Sequence, residues 1–251
     1  DKGSVNVDAG GTAKSGLMME VAPGKTVKQL VDGLPESGPL RDAAVHDLAV
    51  AAAQVGKAMG EFHKSFETGH EMARAAKESE ASNLIRKMIQ IEPLVDPAVY
   101  EALRAQVIDR IAAFYNASIP ETAYHGDANI GNFAVGPGGK VTTFDVGTMK
   151  WSIDASGKPV ASGAADVARF AVSLASDNPG RLTPTELDAV RTAFGKAYFA
   201  ATGTTRDGLL PAVRFYQIDM ELGIMVGQNR AGLGIAEPLG EPPRDCARHF
   251  K

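Results

Sequence analysis

The sequence predicts an α+β fold, a mostly helical body with one or two short β-hairpins inserted in its middle. Three observations carry this expectation. On both sides of residue 130, apolar residues recur at alternating steps of three and four, the spacing that lines one face of a helix. Between those stretches the apolar runs shorten, and glycine and proline turns separate them, as in hairpins. No internal repeat or low-complexity segment competes with this reading.

Taken in order, DKGSVNVDAGGTAK is polar and glycine-rich, and GLMMEVAPGK holds an apolar run bounded by Gly16, Pro23 and Gly24, which reads as a strand ending in a turn. From Asp42, the residues Val45, Leu48, Ala52, Val55, Met59, Phe62 and Phe66 share one face of a long helix. His63 flanks that stripe and reads as a structural hydrogen-bonding histidine. His70 and Glu71 do not begin a zinc motif, because Arg74 stands where the second histidine is required. Asp96 and Pro97 open a helix that buries Tyr100, Leu103, Val107, Ile111 and Phe114.

The period then changes. Asn132 to Val135 and Val141 to Asp145 flank GPGGK and predict a hairpin. With its centre near Gly138 and Gly139, symmetric pairing sets Asn132 across from Asp145 at the open mouth, close to the loop bearing Asp127. A second hairpin is expected from MKWSI and KPVA around the turn Asp154 to Gly157. After Gly163, the residues Val167, Phe170, Ala171 and Leu174 restore the helical pattern. TPTE follows, with Thr183 as cap, Pro184 at the first helical position and Glu186 reaching back, and the helix runs through Leu187, Val190, Phe194 and Tyr198. A last helix carries Leu209, Val213, Tyr216, Met220 and Ile224 before a glycine- and proline-rich tail from Ala231.

The chain has 251 residues and is 44% apolar, enough for a sizeable core in one large or two small domains. Its formal charge of -4, with scattered lysines and arginines, gives no general attraction to nucleic acid or an anionic membrane. The single cysteine, Cys246, excludes an intrachain disulfide and a cysteine-based zinc site. No apolar run approaches the roughly 20 residues of a membrane helix, and no signal or transit peptide is recognisable, so a cytoplasmic location is expected.

The chemistry concentrates in HGDANIGNFAV, residues 125 to 135, and FDVG, residues 144 to 147. Phosphoryl transfer from a nucleotide needs a carboxylate to orient the attacking hydroxyl and oxygen ligands for magnesium. Asp127 suits the first role, and Asn132 and Asp145 suit the metal. The order His-x-Asp-x-x-x-x-Asn, then a strand and Asp-x-Gly, matches the catalytic arrangement of kinases. A two-metal phosphoesterase would need further histidines nearby, and they are absent.

Written as HGDANIGN with DVG, and with Gly126 in place of the protein-kinase arginine, the motif resembles the aminoglycoside phosphotransferase and choline kinase-like family. The resemblance covers roughly residues 15 to 230. It implies a protein kinase-like fold, ATP and magnesium as cofactors, and a nucleotide plus a small-molecule hydroxyl acceptor as partners. GLMMEVAPGK is similar to the family's hinge strand, where backbone groups around Glu20, Val21 and Ala22 would hold the adenine edge. VGKAMGEFHKSF resembles the following helix, and FGKAYFAATG a later one. In AADVARFAVSL, Asp166 takes the position that hydrogen-bonds the catalytic loop. The resemblance makes Asp127 the catalytic base, Asn132 and Asp145 the magnesium ligands, and His125 a brace on the loop, with direct acid or base work by His125 as the other reading. It implies a remnant of an N-terminal lobe and hinge at 1–24, a helical catalytic lobe at 25–230 and a tail at 231–251.

Two departures bear on function. The family's N-terminal lobe carries a phosphate-pairing lysine and a helix glutamate, and neither is recognisable ahead of Gly16. The chain then reads either as lacking most of that lobe or as a reduced kinase-like protein. The segment TMKWSIDASGKPVASG is longer than the family's link and falls near the acceptor site. Within it, Trp151 reads as packing beside the second hairpin or as a surface on which a substrate stacks. Glu71, Glu78 and Glu80 offer charge for a cationic acceptor or form a solvated helix face. Three functions remain: a small-molecule phosphotransferase, a kinase-like scaffold without transfer, and a protein-phosphorylating kinase. Oligomeric state is not legible.

Overall fold

The computed structural model describes residues 4–8, 13–17 and 23–233, with side chains over 23–228. Among them are five β-strands and seven α-helices. β1 (Ser4–Asp8) and β2 (Ala13–Leu17) form an antiparallel hairpin, so strand structure extends into the glycine-rich start. Glu20, Val21 and Ala22, expected as a hinge, lie outside the described residues.

β3 (Lys25–Thr26) leads directly into α1 (Val27–Asp32). Thr26 and Gln29 cap α1 reciprocally, a T-x-x-Q box ahead of a helix too short to show periodicity. α2 (Pro39–Ser65) begins at a proline, as expected for a first helical turn, and buries Leu48, Ala52, Val55 and Met59. α3 (Arg74–Ile91) has no side-chain cap, and it buries Lys77 by aiming the ammonium at the carbonyls of Ala117 and Tyr115. α4 (Pro97–Asn116) is capped by Asp96, whose carboxylate accepts from the Ala98 amide.

β4 (Phe133–Val135) and β5 (Val141–Thr143) form the expected hairpin, and β3 adds to the far edge of β4. Its register corrects the symmetric expectation by one residue. Phe133 pairs with Thr143 and Val135 with Val141, so Asn132 faces Phe144, not Asp145. A one-residue slip reverses which face each side chain takes, so this difference decides where Asp145 can point. The second hairpin shrinks to a single bridge between Ile153 and Pro159 around the Asp154 turn. Its expected first strand, MKWSI, lies largely in a 3₁₀ segment, Val146–Ser152.

α5 (Ala164–Ser176), α6 (Pro184–Thr202) and α7 (Arg206–Leu233) complete the body. The Thr183/Glu186 capping box forms as expected. Glu186 also receives Arg41 through two bonds of 2.7 and 2.8 Å, which ties the start of α2 to the start of α6. α2 and α6 pack closely because Gly56 and Gly60 lie at their contact. A Cβ on Gly56 would stand 2.3 Å from the Phe194 carbonyl oxygen. Stacked pairs, Phe170 on Phe194 at 4.2 Å and Phe114 on Phe215 at 4.0 Å, fill the core between helices. Among the described residues, no helix is long and apolar enough to cross a membrane.

Candidate active site

The loop His125 to Asn132 is held by three side chains spaced along one face of α5. Asp166 accepts from the His125 amide at 2.6 Å and the Gly126 amide at 2.9 Å. Arg169 Nε donates to Asp127 Oδ1 at 3.1 Å, and Ser173 Oγ accepts from the Ile130 amide at 3.1 Å. Positions three, four and seven apart share a helix face, so α5 runs beside the loop and fixes it turn by turn. The opposite face of α5 carries Val167 and Ala171 into the packing.

Asp166 is only 1% exposed, and a carboxylate so buried is tolerable only with partners. Besides the two loop amides it accepts from His63 Nε2 at 2.9 Å, while His63 Nδ1 pairs with the Tyr198 hydroxyl at 2.9 Å. His63 thus has the structural role its sequence position indicates, and it joins α2, α5 and α6 behind the loop. Gly163 lets this chain of bonds close, because a Cβ there would stand 2.3 Å from His63 Nδ1.

His125 is buried and turned back on the backbone. Its Nε2 donates to the Phe144 carbonyl at 2.7 Å, and its Nδ1 accepts from the Asp127 amide at 3.2 Å. A carbonyl can only accept and an amide can only donate, so the network makes Nε2 the donor and Nδ1 the acceptor. The imidazole joins the loop to the end of β5.

Asp127 is half-buried, with both carboxylate oxygens engaged. Oδ1 takes Arg169, and Oδ2 accepts from Asn129 Nδ2 at 3.0 Å and Asn132 Nδ2 at 3.3 Å. Burial pushes this carboxyl up, but the hydrogen bonds from Asn129 and Arg169, with the guanidinium charge, outweigh it and hold it below the usual carboxylate range.

Asn132 Nδ2 also donates to the Asp127 carbonyl at 2.8 Å. That orientation leaves Asn132 Oδ1 without a partner among the described residues. Asp145 is exposed, makes no side-chain bond among those residues, and adopts a left-handed backbone (φ 52°, ψ 52°). This is a strained conformation for a residue other than glycine, and it ends the ladder immediately beyond the Asn132–Phe144 pair. The two groups are therefore neighbours at the hairpin mouth through the Asn132–Phe144 hydrogen bond, not as a cross-strand pair. An amide oxygen and a carboxylate are donor types that magnesium accepts beside phosphate and water, so Asn132 Oδ1 and Asp145 are the residues that could hold one. Among the described residues, no cluster of three or more histidine, cysteine or acidic side chains is placed to hold a metal alone.

Beyond Asp145, the 3₁₀ segment is fastened to the loop's entrance. Thr148 Oγ1 donates to the His125 carbonyl at 2.7 Å, and Ser152 Oγ accepts from the Tyr124 amide at 3.0 Å. Gly126 (φ 88°) fits against it only for want of a side chain, since a Cβ would meet Thr148 Oγ1 at 2.7 Å. Behind Tyr124, Glu80 is not part of a solvated face. Burial and the Asp219 charge, only partly offset by Lys87, push its carboxyl up to about 7. Glu71 and Glu78 bond instead to Ser118 and Arg74 at the surface.

An apolar cavity of about 210 Å³, walled by Met59, Phe62, Phe133, Val146 and Met149, opens beside His125. A larger one, about 530 Å³, lies between α5, α6 and α7 on the side turned away from the loop. Sequence reasoning placed Asp166 correctly against the loop but missed Arg169, Ser173, Asn129 and Thr148. One signal was present: Asp166, Arg169 and Ser173 are polar at steps of three and four in an otherwise apolar helix.

No protein-family model matches the chain, and no curated protein does. Solved structures do. A glucosamine kinase in complex with glucosamine, ADP and inorganic phosphate matches with a TM-score of 0.60 at 16% identity, over 92% of this chain and 61% of that one. A second crystal form of glucosamine kinase gives 0.60 at 16% identity, over 92% and 62% of the two chains. A third gives 0.56 at 18% identity, over 83% and 55%. The chain therefore has a kinase-like fold and spans about three fifths of the length of the first two structures.

Proposed function

We propose that the chain forms the helical catalytic part of a phosphotransferase that moves the γ-phosphoryl group of ATP to a hydroxyl of a sugar-like small molecule. The observation that carries this reading is an α5-braced loop that orients the Asp127 carboxylate and leaves Asn132 Oδ1 unpartnered, beside the hairpin mouth at which Asp145 stands. The likeness to glucosamine kinases supports it, as does the match of HGDANIGN and DVG to the aminoglycoside phosphotransferase-like pattern.

In this reading the acceptor oxygen forms a bond to the γ-phosphorus, the bond from that phosphorus to the bridging oxygen breaks, and ADP leaves. The hydroxyl proton passes to Asp127. Such a transfer runs through a loose transition state, so positioning matters more than base strength. A carboxylate held below its usual range by Asn129 and Arg169 is a weak base but a well-oriented acceptor. Oδ1, which takes only Arg169 Nε, has a second lone pair for the incoming hydroxyl, whereas Oδ2 already receives Asn129 and Asn132. Magnesium bound by Asn132 and Asp145 would neutralise charge on the nucleotide phosphates. Asp166 and Ser173 keep the loop in register with α5 and His125 ties it to the end of β5, which fixes where Asp127 meets the acceptor.

The test is ATP turnover by the full-length protein against a panel of glucosamine, glucose, aminoglycosides and choline. Asp127→Asn and Asp145→Ala serve as controls. The expected result is phosphorylation of a sugar, lowered roughly 100-fold to 10,000-fold by Asp127→Asn, the range for a positioned acid or base. Nucleotide binding without transfer to any of them would favour a kinase-like scaffold and overturn the proposal.

A further inference from the structure

We infer that Trp151 is the acceptor platform: its indole stacks against the flat C–H face of a neutral pyranose ring whose hydroxyl is directed at Asp127. The inference rests on the phosphotransferase reading above and adds the residue that selects the acceptor. Trp151 is 67% exposed, although it is large, aromatic and set in a segment fastened to the catalytic loop. Packing beside the Asp154 turn therefore does not account for it.

Its position follows from the local geometry. In a 3₁₀ helix, residues three apart eclipse one another and rise by about 6 Å. Trp151 thus projects from the same face as Thr148, whose hydroxyl donates to the His125 carbonyl. The alternate face, Met149 and Ser152, turns inward, with Met149 against the apolar cavity and Ser152 on Tyr124. The segment starts at the hairpin mouth with Asp145 and ends beside Tyr124. The segment thus leads away from the hairpin mouth at Asp145 toward Tyr124 and His125, and as the proposed platform the indole takes that second side of Asp127, away from the phosphate end. In-line transfer requires acceptor and nucleotide on opposite sides of the moving group, and this is the acceptor side.

The ligand class follows from the ring's neighbour. The face of an indole is electron-rich and attracts partial positive charge, which the axial C–H groups of a pyranose supply. A quaternary amine would also be attracted. Here, however, the Lys150 ammonium already lies 5.6 Å from the Trp151 ring centroid, and it repels a second permanent cation. A neutral sugar ring meets no such repulsion.

The chain contains one tryptophan, so its emission reports on this site directly. Glucose, the neutral ring, and choline, the permanent cation, are titrated into the full-length protein and its Trp151→Phe variant, and the difference is taken as the Trp151 signal. KM and kcat are measured in parallel for wild type, Trp151→Ala and Trp151→Phe. Expected are a sugar-dependent change in Trp151 emission, a KM for sugar raised about tenfold in Trp151→Ala, substantial recovery in Trp151→Phe, and an unchanged KM for ATP. Sugar turnover by wild type with KM unaltered in Trp151→Ala and a silent Trp151 would overturn this inference and leave the phosphotransferase reading standing. An emission response to choline in place of sugar would also overturn it. If no sugar is turned over at all, the phosphotransferase reading fails first and the inference falls with it.

Discussion

Asp166 offers the sharpest test of how the loop is held. Its Oδ2 receives two donors, the His125 amide and His63 Nε2, and its Oδ1 receives the Gly126 amide. Asp166→Ala strands all three. Gly126 is exposed, so water can replace its partner, but His125 and His63 are 4% and 3% exposed and have no such recourse. Each buried donor left unpaired costs about 1–3 kcal/mol, and loss of one partner in a buried charged network costs about 3–5 kcal/mol in all. Asp166→Asn differs in a calculable way. Its amide oxygen can stay at the Oδ2 position and keep both buried donors, leaving only the solvent-reachable Gly126 amide opposed by an NH₂ group. The expected loss is then about 1–2 kcal/mol. Urea unfolding followed by circular dichroism measures both, and amide exchange at His125 and Gly126 shows whether the loop opens before the body does. Equal losses for alanine and asparagine, or an Asp166→Ala protein within about 0.5 kcal/mol of wild type, would refute the reasoning.

Other outcomes follow from the same geometry. Asp127 is held below its usual range partly by Arg169, and activity that needs its ionised form is kept above the folded pKa and lost as pH falls through it. Arg169→Ala should therefore move the acid limb of kcat/KM to higher pH, and an unmoved limb would remove Arg169 from that role. Glu80, raised from 4.5 to about 7, keeps a proton in the folded state that the unfolded chain has already released, so stability falls as pH rises across that window. Glu80→Gln should abolish this slope, matching wild type near pH 4 and exceeding it at pH 8 by up to about 3 kcal/mol; thermal melts against pH decide it. Gly163→Ala forces a Cβ to 2.3 Å from His63 and should lower stability by about 1–3 kcal/mol, which an unchanged melting temperature would contradict.

Much of the body was legible because its signals are local. The helix stripe of α2, the Asp96 cap of α4 and the Thr183/Glu186 box of α6 each depend on residues within a few positions of one another. α3 shows in the sequence only as a solvated helix face around Glu78 and Glu80, with no bounds, for the converse reason: it lacks a capping side chain and buries a lysine through carbonyls of the segment that ends α4. The 3₁₀ segment was mistaken for a strand because MKWSI has strand-like composition. Its conformation is set by Thr148 and Ser152 bonding to Tyr124 and His125, over 20 residues away.

The sequence by itself determined which chemical groups are available and their order: a histidine, a carboxylate, a carboxamide and a second carboxylate around one short hairpin. Spacing along a chain is enough for that, as it is for periodic helices and reciprocal caps. Tertiary structure alone decided the hairpin register, the pairing of Arg169 with Asp127 across 42 positions and of His63 with Asp166 across 103. The turn contains Gly138 and Gly139, both at positive φ, and strands of three residues specify register weakly. The long-range pairs exist only once α2, α5 and α6 pack, at a closeness that Gly56, Gly60 and Gly163 permit.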